Sequence, residues 1–257
     1  VIDTQVHFRE PGLTHKEDIE TGSKSAVLGG VTAFCEMPNT IPLTDCEKEL
    51  LKKIEKSNKV SWCDFAYFIG ATEDNIPNLN RYEKLSGCAG VKIFMGSSTG
   101  DLLVENEDKL FQIMSNGERR VAVHAEDETR LKERFNLFKN STSPHNHPKW
   151  RDPISPLLAT KKIIKIAYQV QRPLHILHVS TSSEMKLLKN VKDIISVEVT
   201  PQHLTLNSPD CYDKLGTFAQ MNPPIRNRYH QKELWKGIYN GTVDVIGSDH
   251  APHTIEE

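Results

Sequence analysis

Residues 1–12 read Val-Ile-Asp-Thr-Gln-Val-His-Phe-Arg-Glu-Pro-Gly. Val1 and Ile2 open an apolar run, Val6 continues it by alternation, and Pro11-Gly12 ends it, which predicts a short buried strand running into a turn. The strand stops at residues with chemistry. His7 can bind a metal, and Arg9 can hold a carboxylate through two parallel hydrogen bonds. If strand geometry persists to Arg9, its side chain and that of His7 point the same way. Taken alone, the segment reads equally as a surface turn, with Arg9 in an exposed ion pair with Glu10 or Asp18. The choice depends on whether the pattern recurs.

It recurs seven times. Apolar, β-branched or aromatic runs at 31–37, 60–69, 90–95, 120–124, 173–179, 195–200 and 243–247 predict further strands. Helical spacing falls between most of them: 14–29 with Gly29-Gly30 as a stop, 47–59, around Leu110, Ile113 and Met114, 156–169, 183–188 and 231–239. Residues 76–85 read as a short connector, the polar stretch 136–152 as a loop, and 221–226 as part of another. Eight strands alternating with helices predict parallel strands closed into a (β/α)8 TIM-like barrel, with an open doubly wound sheet as the alternative. Chemistry-bearing residues end several different strands, which favours the barrel, because barrel active sites form at that rim. No Gly-x-Gly-x-x-Gly follows a strand, which weakens a dinucleotide reading.

Length and composition agree. A chain of 257 residues suits one barrel, so 1–257 is read as a single catalytic domain. The formal net charge of −2, without blocks of like charge, gives no footprint for nucleic acid or anionic lipid. No apolar run reaches membrane-spanning length and no signal peptide precedes the first strand, so a cytoplasmic location is expected. Five cysteines without Cys-x-x-Cys spacing argue against a disulfide framework. Cys35 and Cys63, read as lying within strands, are most simply small buried hydrophobes.

Lys92 lies within Val-Lys-Ile-Phe-Met, which is too apolar for an ammonium without compensation. Burial lowers a lysine's pKa, and a neutral amine can capture carbon dioxide to form a carbamate that bridges two metals. Strands five and six end in His124 and His178, and strand eight ends in Asp249. Any one of these would more often be structural; together, on different strand ends, they form a metal-binding constellation. Nitrogen and oxygen donors without cysteine point to zinc, with manganese or cobalt as alternatives. His15, His175 and His230 are read as having no chemistry, and His145 and His147 as lying in a loop of open role.

The opening motif Asp3-x-Gln5-x-His7-x-Arg9-Glu-Pro-Gly12 resembles that of the cyclic amidohydrolases, most closely the dihydroorotases. So do Met37-Pro38-Asn39-Thr40, Lys92, His124-Ala-Glu126, His178-Val-Ser180, Thr200-Pro-Gln-His203, Asn222-Pro-Pro-Ile-Arg226 and Ser248-Asp-His-Ala-Pro-His253, in the family's order. The resemblance implies that Lys92 is N6-carboxylated and that His124 and His178 complete one zinc site, with His7 and Asp249 serving the other. It implies that Arg9, Asn39, Asn222 and His253 bind substrate. It implies reversible cyclisation of N-carbamoyl-L-aspartate to L-dihydroorotate in pyrimidine synthesis. In the hydrolytic direction metal polarises the ring carbonyl and activates water, and Asp249 passes a proton to the leaving amide nitrogen. It further implies a homodimer, aspartate transcarbamoylase as a partner, and a small β domain built from both chain ends that lies outside these residues, the barrel being truncated at its C-terminal end.

There are two departures. Gln5 stands where the family usually has a histidine ligand, and Gln202 stands where relatives often have the first of two adjacent histidines. An amide is a poorer zinc ligand than imidazole, so one tightly held ion is expected, at Lys92, His124 and His178, with the His7 and Asp249 site weak or empty. Alternatively water completes the second shell, or catalysis is lost and the chain is a non-catalytic subunit scaffolding aspartate transcarbamoylase. A hydantoinase or allantoinase would share the metal ligands without necessarily sharing the Arg9 clamp.

Overall fold

The computed structural model describes residues 1–96 and 102–257. Eight strands run β1 (Ile2–Val6), β2 (Ala33–Glu36), β3 (Asp64–Gly70), β4 (Cys88–Phe94), β5 (Val121–His124), β6 (Leu174–Ile176), β7 (Ile195–Val199) and β8 (Val245–Ile246). Each pairs in parallel with the next in chain order. The ring closes where Val6 bridges His250 in parallel and the His7 N–H donates to the His250 carbonyl at 2.7 Å. This is the (β/α)8 barrel expected from the alternation.

The period-two pattern explains its two cores. Val91, Ile93, Val121, Val123, Leu174, Ile176, Ile195 and Val197 are buried in one large cluster that also takes in the apolar stripes of the helices. The longest helix, Ile154–Val170, contributes Ala159, Ile163, Ile166 and Ala167 to it. The alternate residues belong to a smaller cluster of Met37, Phe68, Ala122 and Leu177. Lys92, in register with Ala122, belongs to that inner set.

Several boundaries differ from the sequence reading. The first helix starts at Ile19, because Asp18 accepts from the Thr21 N–H and caps it. The polar stretch expected to be a loop begins inside a helix, Glu128–Phe138, and contains a second short one, His147–Trp150. Glu128–Phe138 buries only Leu131, so it has almost no apolar stripe to read. Residues 76–85 contain the helix Leu79–Tyr82, and the segment before Asn222 holds Pro201–Thr205 and Asp210–Leu215. Cys63 precedes β3, and β6 stops at Ile176, two residues before His178. No helix among the described residues is long and apolar enough to cross a membrane.

His203 pins Pro201–Thr205 to the segment after it, accepting at Nδ1 from Thr200 Oγ1 (2.8 Å) and donating from Nε2 to the Pro223 carbonyl (3.0 Å). Burial lowers its pKa from 6.5 to about 4. Between these values the unfolded chain binds the proton and the folded one does not, so stability present above pH 6.5 is lost on acidification, about 2 kcal/mol at pH 5. His203→Gln keeps a donor without the titration. Its stability deficit against wild type is therefore expected to be about 2 kcal/mol smaller at pH 5 than at pH 7 in urea unfolding.

Candidate metal and active site

All ten residues singled out from the sequence line one cavity of about 530 Å³ at the C-terminal rim: Gln5, His7, Arg9, Asn39, Lys92, His124, His178, Asn222, Asp249 and His253. The rim gathers them because each strand ends there and hands its last polar side chain to the mouth of the barrel.

On one side stand the two histidines from β5 and the turn after β6. His124 Nδ1 and His178 Nε2 are 2.9 Å apart, with the rings edge to face. His124 Nε2 faces Glu126 Oε2 at 2.9 Å, and Arg151 donates to the same carboxylate oxygen. Burial works against charge on Glu126, but Arg151 and His124 outweigh it and hold its pKa well below the carboxylate range. The ionised carboxylate accepts from Nε2–H, which leaves the Nδ1 lone pair of a neutral His124 directed at His178. Burial lowers the pKa of both rings, that of His178 strongly, so both are neutral near pH 7, as metal ligands must be.

Lys92 is 1% exposed. Its Nζ lies 4.5 Å from the Phe94 ring centre and has no hydrogen bond or ion pair among the described residues. Burial drops its pKa to about 7 against the opposing pull of Asp249 and Glu198, so a large share of the amine is neutral at physiological pH. That state can accept carbon dioxide.

On the other side, His7 Nδ1 is 2.7 Å from Asn39 Oδ1 and its Nε2 is 3.2 Å from Asp249 Oδ1. An amide oxygen only accepts, so Nδ1 carries a proton, and Nε2 faces the carboxylate oxygen across a gap that a proton or a cation on Nε2's side would bridge. Gln5 Nε2 donates to the same Asp249 oxygen at 2.9 Å, while Gln5 Oε1 is buried with no hydrogen-bond partner among the described residues. Asp249 stays below the usual carboxylate pKa: burial raises it, but His7, His178 and Lys92 together lower it further.

Among the described residues no three His, Cys, Asp or Glu side chains are grouped closely enough to hold a metal by themselves. The donors come as two pairs, His124 with His178 and His7 with Asp249. A closed shell needs a further donor, and Lys92 lines the same cavity. The facing donor pairs, the buried amine and the orphaned Gln5 oxygen make this donor set fit a cation.

Arg9 sits differently from the expectation. β1 ends at Val6 and Arg9 has a left-handed backbone with φ of 61°, so strand alternation does not carry to it. It nevertheless reaches the same cavity, where Nε donates to the Pro252 carbonyl at 3.0 Å and Nη2 lies 3.1 Å from His253 Nε2. It pairs with neither Glu10 nor Asp18: Glu10 accepts from the Ile19 N–H and faces Lys56.

No family model matches the chain. Curated relatives do. The dihydroorotase of Methanosarcina mazei is 36% identical over 268 residues, and that of Pyrococcus abyssi 37% over 262. The alignments take in all of this chain and 58% and 56% of those proteins. The chain is related to the dihydroorotases along its entire length. It spans a little over half the length of the relatives it matches. Among solved structures, the L-hydantoinase (dihydropyrimidinase) of Arthrobacter aurescens superposes with a TM-score of 0.94 at 25% identity, over all of this chain and 58% of that one. A dihydropyrimidinase from Brevibacillus agri, TM-score 0.88 at 22% identity over 99% of this chain and 58% of its own, shares the fold.

Within this dihydroorotase-like barrel, sequence reasoning missed Glu126 and Arg151. A carboxylate two residues beyond His124 was the available signal for the first; nothing in the letters tied the second, from the presumed loop, to the site. His147 from the same stretch is buried and hydrogen-bonds the Met221 carbonyl at 2.9 Å. Arg226 donates to the carbonyls of Pro148 (3.5 Å) and Arg151. The segment 136–152 thus braces the cavity wall. Gln202, the second departure from the family pattern, lines the cavity and donates to the Ser248 carbonyl at 2.9 Å.

Proposed function

We propose that the chain is the catalytic barrel of a dihydroorotase, interconverting L-dihydroorotate and N-carbamoyl-L-aspartate. The observation that carries this is the meeting, in one cavity, of two facing donor pairs, a buried lysine with no hydrogen bond or ion pair among the described residues, and the Arg9 guanidinium. Lys92, in its N6-carboxylated form, His124 and His178 would hold one zinc ion, with His7 and Asp249 offering a second, weaker position because Gln5 brings an amide. Zinc supplies Lewis acidity there, polarising a ring carbonyl and making water a nucleophile near neutral pH.

The chain's own residues do the rest. Asp249 is ionised and receives a proton at Oδ1, then returns it to the amide nitrogen that leaves the ring. Arg9 grips the substrate carboxylate with its two-pronged fork, and His253, whose Nε2 accepts from Nη2, holds that fork in place for it. Asn39 fixes the His7 ring through Oδ1, which leaves its amino group for the same carboxylate. Asn222 reads the polar edge of the ring. Glu126, steadied by Arg151, fixes the tautomer of His124. Glu126→Ala releases that ring and is expected to weaken zinc binding about 10- to 100-fold by chelator competition; unchanged affinity would contradict the assigned tautomer.

The near-superposition on an L-hydantoinase favours one second reading, a cyclic amidohydrolase for uncharged rings. The full-length protein supplied with zinc decides between them. Turnover of dihydroorotate with little activity on hydantoin is expected. The opposite preference supports the second reading, and inertness toward both supports a non-catalytic scaffold for aspartate transcarbamoylase.

A further inference from the structure

Three of the non-glycine residues with left-handed backbone belong to the cavity: Arg9 (φ 61°), His178 (38°) and Asp249 (50°). Such a backbone is strained for a residue with a side chain and persists only where its surroundings enforce it. For His178 the enforcing group lies inside the barrel. The His178 N–H donates to Oε1 of Glu198 at 3.3 Å.

Glu198, on β7, is fully buried. Its Oε2 accepts from Thr4 Oγ1 at 2.7 Å and faces His175 Nε2 at 3.4 Å; His175 Nδ1 in turn lies 2.8 Å from Ser196 Oγ. The Val179 N–H, next in the chain after His178, donates to the Glu198 carbonyl at 2.8 Å. The remaining side is closed by Gly247, where a Cβ would come 2.4 Å from Oε2. The carboxylate is boxed by β1, β6, the residue after β8 and the turn that carries His178. Among the described residues no lysine or arginine touches Glu198; burying a carboxylate without one is expensive, and an apolar side chain would fill the same space without that cost. The strained group it touches among these residues is His178.

We infer that Glu198 is a positioning residue for His178: it captures the amide of the left-handed turn and so aims the imidazole at His124, while Thr4 and His175 hold the carboxylate in place from below. The inference rests on the reading of His178 as a metal ligand. It gives the inner wall of the barrel, remote from the substrate, a part in the site. It also explains why the strand end before Asp249 carries glycine at 247: any larger residue would push Glu198 off the amide it holds.

The test uses the full-length protein, with zinc affinity read by chelator competition and folding by thermal melting. Glu198→Ala is expected to weaken zinc about 10- to 100-fold, the range for loss of a group supporting a ligand. Glu198→Gln keeps an acceptor for the His178 N–H without the charge and is expected to restore affinity to within about threefold. Thr4→Val loosens the carboxylate without touching His178, keeps a β-branched side chain of the same shape on β1, and is expected to weaken zinc several-fold, with the KM for dihydroorotate unchanged. Wild-type affinity in both Glu198→Ala and Thr4→Val, or a glutamine variant no better than alanine, overturns the inference. A wild type that binds no zinc contradicts the proposed function and this inference with it, whereas tight wild-type binding unmoved by these substitutions contradicts the inference alone.

Discussion

Asp249→Asn in the zinc-supplied full-length protein is expected to lower kcat for dihydroorotate about a thousandfold, in the middle of the range for loss of a general acid–base group. The size follows from the environment. Asp249 sits among His7, His178 and Lys92, which together keep it ionised despite burial. Its Oδ1 is the atom on which His7 Nε2 and Gln5 Nε2 converge. Asparagine retains an oxygen able to accept from Gln5, so the local packing survives, but it has no site for the transferred proton. Rate is lost while the melting temperature stays close to wild type. A kcat within tenfold of wild type would show that the proton travels by another route.

The second large effect concerns Arg9. Arg9→Met is expected to raise the KM for dihydroorotate about 100-fold or more, since two charge-assisted hydrogen bonds to a carboxylate are lost together. Activity on an uncharged cyclic amide such as hydantoin should change little, because nothing in that substrate engages the guanidinium. Arg9→Lys restores charge but not the fork and should recover only part of the loss. Equal damage to both substrates would mean that Arg9 acts by holding the Pro252 carbonyl and His253, as a structural brace, and would remove the main argument for an anionic substrate.

The barrel was legible because its strands obey one rule. Residues such as Val91, Ile93, Val121 and Val123 alternate with an inner set, and that alternation predicts both the strand and the side of it that carries Lys92. The ends of β4 and β5 were legible for the same reason. Where the chain leaves strand geometry, pattern reading fails. His178 was assigned to a strand end and lies instead in a left-handed turn two residues beyond β6, a conformation stabilised by Glu198 from another strand. Arg9 lines the cavity, but not by the strand alternation expected to bring it there, since its backbone turns before alternation can reach it.

The brace behind His124 was illegible for a different reason. Glu126, Arg151 and Arg226 are charged, buried and far apart in sequence, and no period relates them. Their meaning lies in contacts across 25 residues from Glu126 to Arg151 and 75 from Arg151 to Arg226. The helix Glu128–Phe138 hid similarly: with Leu131 as its one buried residue, it is held by its Asp127 cap and by the ion pair of Arg130 with Asp152. Gln5 was noticed as a departure, but the letters did not show that its amide group ties down Asp249 while its oxygen has no partner among the described residues.

Zinc-edge anomalous diffraction from crystals of the full-length protein grown with zinc addresses the central claim most directly. The account predicts a strong peak among Lys92, His124 and His178, with a weaker peak or none between His7 and Asp249. Two peaks of equal strength would contradict the part assigned to Gln5, and the absence of any peak within reach of His124 and His178 would contradict the metal site itself.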